Sequence, residues 1–315
     1  MSGGLAPLLR PIIARTLRGL KTAQYWLIAQ LARSVLYMLR LLPPEKALAF
    51  AERVAKRIGP LTKRHQITLD NIRKAYPEKT EAEVEALALD MWGHMARLFG
   101  EYIFIDQLFD YVPGQEKPGR VEVIGEEIFL RIREESDRPH IVFTAHMGNF
   151  ELLPIAAAAY GLPISVLFRA PNNPYIAKYL FSTRSNHMSD MVASRTGAAF
   201  TLARVLEADG NIGALVDQKF TRGLRTTFFG RECMTSPLIG KLARQYDCDV
   251  YPARSIRLPG NRFRLELQEK LELPRNEKGV VDVAATTQLL NDVVEQWVRE
   301  DPGQWMWFHK RWEIK

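Results

Sequence analysis

The chain has 315 residues, 47% hydrophobic and 25% charged, which excludes a disordered polar chain and suits one large domain or two small ones. Its formal net charge of +7 points to an anionic partner: nucleic acid, a membrane surface or an acidic substrate. The two cysteines, Cys233 and Cys248, lack paired or metal-ligand spacing, which argues against a disulfide scaffold and for a reducing compartment.

The first long apolar stretch is 25–42, preceded by Arg10, Arg15, Arg18 and Lys21 and stopped by Pro43-Pro44. It has about the minimum length of a membrane span, yet Arg33 and Arg40 fall inside it. A central arginine costs roughly 2.5–3.5 kcal/mol on insertion scales. No small-residue cleavage site follows, so a signal peptide fits poorly. The stretch reads as an amphipathic, membrane-anchoring helix with Tyr25 and Trp26 on its apolar face; a single span and an ordinary core helix are the other readings. A second helix is expected over 45–58. Residues 1–59 therefore form a membrane-associating helical segment ahead of a domain over 60–315.

Thr80, followed by Glu81 and Glu83, caps a helix reaching about residue 97. His94 shares its apolar face with Leu87, Met91, Met95 and Leu98, which marks it as core-lining rather than catalytic. Strands over 121–124, 141–145, 162–168 and 212–216 then alternate with helices over 126–135, from Leu152, over 172–184 and over 201–208. That alternation predicts an α/β fold with a central, mostly parallel sheet flanked by helices. A helix over 237–246, two strands over 250–256 and 263–267 that can pair, and a long helix over 282–300 complete the domain. The aromatic and basic tail 304–312 either caps the core or touches lipid.

In open α/β sheets ligands bind at the C-terminal strand edge. Strand 141–145 delivers His146 there, in His146-Met147-Gly148-Asn149-Phe150-Glu151. Across a tight turn the Glu151 carboxylate can reach back to the imidazole, fix its tautomer and leave the other nitrogen to take a proton. This is a base with an orienting carboxylate and no protein nucleophile, so its natural partner is a substrate hydroxyl attacking an activated acyl group. The same spacing also arises where a histidine merely ends a strand. Strand 162–168 delivers Arg169, and strand 212–216 delivers Asp217 and Gln218. Lys219, Arg222, Arg225 and Arg231 follow among Gly223 and Gly230, as a basic loop suited to phosphate oxygens or simply solvated. Gly230 and the preceding Phe228-Phe229 could also line an acyl-chain path. No dinucleotide fingerprint, phosphate-binding loop, serine-hydrolase elbow, zinc pattern or nucleic-acid module is present, so no cofactor, metal or nucleic acid is expected.

The His146 to Glu151 block resembles the His-x4-Asp/Glu motif of glycerolipid-type acyltransferases. Four further blocks narrow the resemblance: Asn71-Ile72-Arg73-Lys74-Ala75-Tyr76-Pro77-Glu78, Phe168-Arg169, Asp217-Gln218, and the close Gln304-Trp305-Met306-Trp307-Phe308-His309-Lys310-Arg311-Trp312. In order and spacing they are similar to the late (secondary) acyltransferases of lipid A biosynthesis, lauroyl/myristoyl type, of Gram-negative bacteria. The likeness runs from about Arg64 to the end of the chain. The tail departs modestly, with Phe308-His309-Lys310-Arg311 where many relatives read Leu or Met followed by His-Arg-Arg.

The resemblance implies a glycerolipid-acyltransferase-like fold and an enzyme at the cytoplasmic face of the inner membrane. It implies an acyl-carrier-protein thioester as donor and a phosphorylated, usually Kdo-bearing, lipid A precursor as acceptor. His146 is then the general base and Glu151 its orienting carboxylate, while Arg169 and the Asp217-Gln218 pair match further blocks of the family. Lys219, Arg222 and Arg225 would hold acceptor phosphates, and Arg169 or a backbone N–H near Gly148 would stabilise the oxyanion. An acyltransferase for another membrane lipid (glycolipid, lysophospholipid or ornithine lipid) and a non-catalytic lipid-binding protein are the alternatives.

Overall fold

The structure is a computed structural model and describes residues 6–115, 117, 119–135, 138–168, 171–184, 191–194 and 197–314. Arg169 lies outside the described residues. The N-terminal third is helical: α1 (Ala6–Arg40), α2 (Pro44–Ile58), α3 (Lys63–Ala75), α4 (Glu81–Glu101) and the single turn α5 (Ile105–Leu108). α4 starts as its sequence predicts, with Thr80 and Glu83 exchanging side-chain and backbone hydrogen bonds in a capping box that contributes on the order of 1 kcal/mol. No helix among the described residues is long and apolar enough to cross a membrane. α1 does carry a series of exposed apolar side chains, Leu17, Leu20, Leu27, Leu31 and Met38. α2 packs closely on α4, and its Leu48 is fully buried.

The α/β part follows: β1 (Val121–Ile124), α6 (Glu126–Glu135), β2 (His140–Thr144), α7 (Leu152–Ala159), β3 (Ile164–Phe168), α8 (Pro174–Arg184), β4 (Met191–Ala193), α9 (Ala198–Glu207) and β5 (Asn211–Leu215). Then come β6 (Leu224–Phe228), β7 (Arg231–Thr235), α10 (Leu238–Tyr246), β8 (Asp249–Leu258), β9 (Arg262–Leu267) and α11 (Val283–Glu300). Seven strands form one sheet in the order β1-β9-β8-β2-β5-β3-β4. Every neighbouring pair is parallel except β8 with β9. The mostly parallel sheet flanked by helices is the predicted class.

Alternation along the strands feeds two cores. Ile141 and Phe143 of β2, with Ile212 and Ala214 of β5, face a layer built from α3, α4, α9, α10, α11 and the tail. Val142 and Val166 face the other layer, with Phe129 of α6 and Ala156 and Ala157 of α7. The stretch after Lys219 is a correction to the predicted loop: β6 and β7 form an antiparallel hairpin. Its two-residue turn puts Phe229 at φ 55° and Gly230 at φ 65°, the doubly left-handed geometry whose twist matches paired strands. Phe228 and Phe229 are buried against Trp305, Trp307 and Trp312, so they belong to the core and not to an acyl path.

The tail is part of the core too. Trp305 and Trp307 are buried, which removes them from lipid contact. Asn71 holds this segment with one amide nitrogen, donating to the carbonyls of Trp307 (2.7 Å) and His309 (2.6 Å). The Arg311 guanidinium, completely buried, donates to Met234 O, Thr235 Oγ1 and Asn291 Oδ1. A buried cation persists only with such partners.

Candidate active site

The register of β2 on β5 builds the site. Val142 pairs with Gly213 and Thr144 with Leu215, so two residues further on His146 faces Asp217. Asp217 Oδ1 lies 2.8 Å from His146 Nδ1, and Asp217 Oδ2 accepts the His146 backbone N–H at 3.0 Å. The Trp305 indole N–H donates to the same Oδ2 at 2.8 Å. Burial opposes ionisation of Asp217, but the His146 ring, the two His146 hydrogen bonds and the Trp305 bond outweigh it and hold the carboxyl down at about 2. With Asp217 ionised, Nδ1 carries the imidazole proton and Nε2 presents a lone pair. The Gln218 amide nitrogen stands 3.1 Å from that Nε2.

Asp217, rather than Glu151, is therefore the carboxylate at Nδ1, which revises the expectation drawn from the His-x4-Glu spacing. Gly148, at φ +57°, turns the chain away after His146 and Met147. A Cβ there would stand 2.0 Å from Ser255 O, so the turn requires glycine. Glu151 then sits at the entry to α7, with φ −70° and ψ −16°. It lines the same cavity as His146 and is largely buried.

The turn is pinned from two sides. The C-terminal segment reaches it as an isolated bridge, with Met306 N donating to His146 O (3.1 Å) and Gly148 N to Gln304 O (3.3 Å). Asn149 N donates to Ser255 Oγ at 3.2 Å, and Asn149 Nδ2 donates to Glu101 Oε2 at 2.9 Å. Glu101 in turn accepts from Arg257 Nη2 at 2.6 Å, a fully buried pair beneath the turn. Burial pushes the Glu101 carboxyl up and the Arg257 guanidinium down, each opposed by its partner. The Gly148 amide is thus spent on Gln304 O, which removes it as the expected oxyanion donor.

His146, Glu151 and Gln218 open onto a cavity of about 270 Å³ between the sheet and α7. Its walls are mainly apolar, with Val142, Val166, Gly213 and Leu215 from the sheet and Leu153 and Ala157 from α7, and Thr144 and Glu266 as polar exceptions. The basic residues predicted beside the site are spread out. Lys219 Nζ pairs with Glu313 (3.3 Å), and Arg225 on the exposed face of β6 pairs with Glu232 (3.5 Å). Arg222 is exposed at the turn before β6. None of the three is among the described residues lining the cavity. Trp305 enters the site through Asp217; its only signal in the sequence is its place in the aromatic tail.

The chemistry available is proton removal. An imidazole whose Nδ1 is held by an ionised carboxylate can take a proton at Nε2, beside a mainly apolar slot. Both cysteines are buried and free, and burial pushes the Cys248 thiol up to about 12. A family model described as bacterial lipid A biosynthesis acyltransferase matches residues 14–314. A comparison with curated proteins returned no match.

Proposed function

Because the chain belongs to the bacterial lipid A biosynthesis acyltransferase family, we propose that it moves an acyl chain from an acyl-carrier-protein thioester to a hydroxyl on a hydroxyacyl chain of a phosphorylated lipid A precursor. The observation that carries this reading is the His146–Asp217 pair opening onto an apolar slot. His146 Nε2 takes the proton of the acceptor hydroxyl, and Asp217 holds the ring and balances the imidazolium that forms. Glu151, on the cavity lining beside His146, keeps its place in the proposal as a carboxylate that contacts the reacting groups. The donor chain lies in the slot with its thioester at the His146 end. Arg169, Lys219, Arg222 and Arg225 contribute positive charge for acceptor phosphates and for an acidic carrier protein.

The proposal also places the protein at the cytoplasmic face of the inner membrane with α1 lying in the interface; the exposed apolar side chains of α1 support the interfacial placement of that helix. One experiment addresses acceptor and membrane together. Anionic vesicles carrying the phosphorylated lipid A precursor and a lysophospholipid in equal amounts are incubated with protein and acyl-carrier thioester, then sedimented. Protein in the pellet and acyl gain on the precursor alone are expected. Acylation of the lysophospholipid instead would move the assignment to another membrane lipid, and protein left in the supernatant would remove the interfacial role of α1.

The slot makes a chain-length prediction. Gly213 lies level with Val142, four residues and about 13 Å below His146 at 3.3 Å per residue. The position is tight, since a Cβ there would already meet Ile164 Cγ2 at 3.0 Å and Val166 Cγ1 at 3.1 Å, so a larger side chain must push these walls into the slot. Gly213→Val should close the lower end of the slot. One methylene in an apolar pocket is worth about 10–200-fold in discrimination, so preference should move to shorter donors by about tenfold or more. Product masses from a mixture of donor lengths measure this, and an unchanged length distribution would remove Gly213 from the chain's path.

A further inference from the structure

The acyl-transfer reading needs a donor for the negative charge that grows on the thioester carbonyl oxygen. Such donors are the groups that stabilise acyl-transfer transition states most. The turn after β2 does not supply one from His146 to Asn149. The His146 amide is given to Asp217 Oδ2, Met147 to Ala145 O, Gly148 to Gln304 O and Asn149 to Ser255 Oγ. Lys219, the next cation along the chain from the dyad, spends its ammonium on Glu313.

Gln218 differs from all of these. It lines the cavity, it is half-buried, and its amide nitrogen stands 3.1 Å from His146 Nε2. Only the NH2 end of a carboxamide can pair with a lone pair, so Gln218 donates to the atom that must accept the substrate proton. Its backbone is set by Asp217, which is 3% exposed and held by three hydrogen bonds. In the reacting complex the acceptor oxygen must stand one hydrogen bond from Nε2, with the carbonyl carbon bonded to it and the oxyanion one bond further. A donor one hydrogen bond from Nε2 on the cavity side therefore has the oxyanion within reach of a small side-chain rotation.

We infer that Gln218 fills the place of the acceptor hydroxyl at His146 in the free enzyme and, once displaced by that hydroxyl, turns its N–H to the thioester carbonyl oxygen as the oxyanion donor. The inference rests on the acyl-transfer reading and adds a role to it. The acceptor O–C bond forms as the hydroxyl proton passes to His146 Nε2, and the carbonyl π pair moves to the oxygen facing Gln218. As that pair returns, the C–S bond breaks and Nε2 gives the proton to the leaving sulfur. Gln218 exchanges no proton.

The test compares the full-length protein with Gln218→Ala and Gln218→Glu, at saturating and limiting acyl-carrier thioester, with ring ¹⁵N spectra of His146 in parallel. Gln218→Ala should lower kcat by about 10²–10³-fold, with KM for the thioester nearly unchanged and KM for the acceptor no higher than in the parent. Gln218→Glu should fall at least as far, because a carboxylate repels the oxyanion. The His146 Nε2 resonance should move in both variants, which a residue serving only the fold would not cause. A Gln218→Ala kcat within threefold of the parent would overturn the donor role while leaving acyl transfer intact. A parent that transfers no acyl group to any lipid would remove the underlying reading and this inference with it.

Discussion

His146→Ala is expected to lower turnover by about 10²–10⁴-fold, the usual contribution of a general base. The loss should fall on kcat, because the apolar walls that hold the donor chain are untouched. The variant should also fold. The His146 side chain is 18% exposed, and Asp217 keeps the backbone N–H of residue 146 and the Trp305 indole as donors. Steady-state transfer with acyl-carrier thioester measures the effect, with thermal unfolding as the control. Near-parental turnover from a folded variant would sink the proposed base.

Asp217→Asn tests the partner that the sheet register supplies. An asparagine fits the same space, yet its NH2 can donate to Nδ1 and drive the ring proton to Nε2, the wrong nitrogen for proton removal. Amidating the orienting aspartate of a hydrolase triad costs about 10⁴-fold, and we expect about 10³–10⁴-fold here. Glu151→Gln should cost less, since Glu151 is not the carboxylate at Nδ1. A larger loss in Glu151→Gln than in Asp217→Asn would reverse the two roles. Acid unfolding offers a second reading of the same contact. The Asp217 carboxyl is depressed from 3.8 to about 2, so its stabilisation is complete above about 4 and is lost as pH falls through about 2. Asp217→Asn should lack the part of the acid transition that falls in that window.

Much of the parallel sheet is legible because its strands are short apolar runs ending in a polar residue, and each is bounded by glycine, proline or a helix. β4 escapes notice because three residues carry no period. The β6–β7 hairpin is hidden for another reason. Its strands read Leu-Arg-Thr-Thr-Phe and Arg-Glu-Cys-Met-Thr, polar on one side, and its turn is Phe229-Gly230 rather than an asparagine-glycine pair. Arg225 therefore reads as part of a loop when it stands on the exposed face of paired strands, beside Glu232.

The His146 partner shows where local spacing stops informing. Glu151 is five residues away along the chain, and Asp217 is 71. Strand order decides between them. β5 lies beside β2, and the shared register sets Asp217 opposite His146, while Gly148 turns Glu151 toward α7. A sequence identifies which residues end strands, but not which strands are neighbours. The same holds for Trp305 and for the Glu101–Arg257 pair, whose members lie 88 and 156 residues from Asp217 and from each other respectively.

The most direct measurement is mass spectrometry of a phosphorylated, tetra-acylated Kdo-lipid A precursor after incubation with purified protein and mixed acyl-carrier-protein thioesters, alongside His146→Ala. The account predicts a gain of one acyl group with the parent and none with the variant over the same interval. An equal gain from both proteins, or no gain from the parent with any donor, would contradict it.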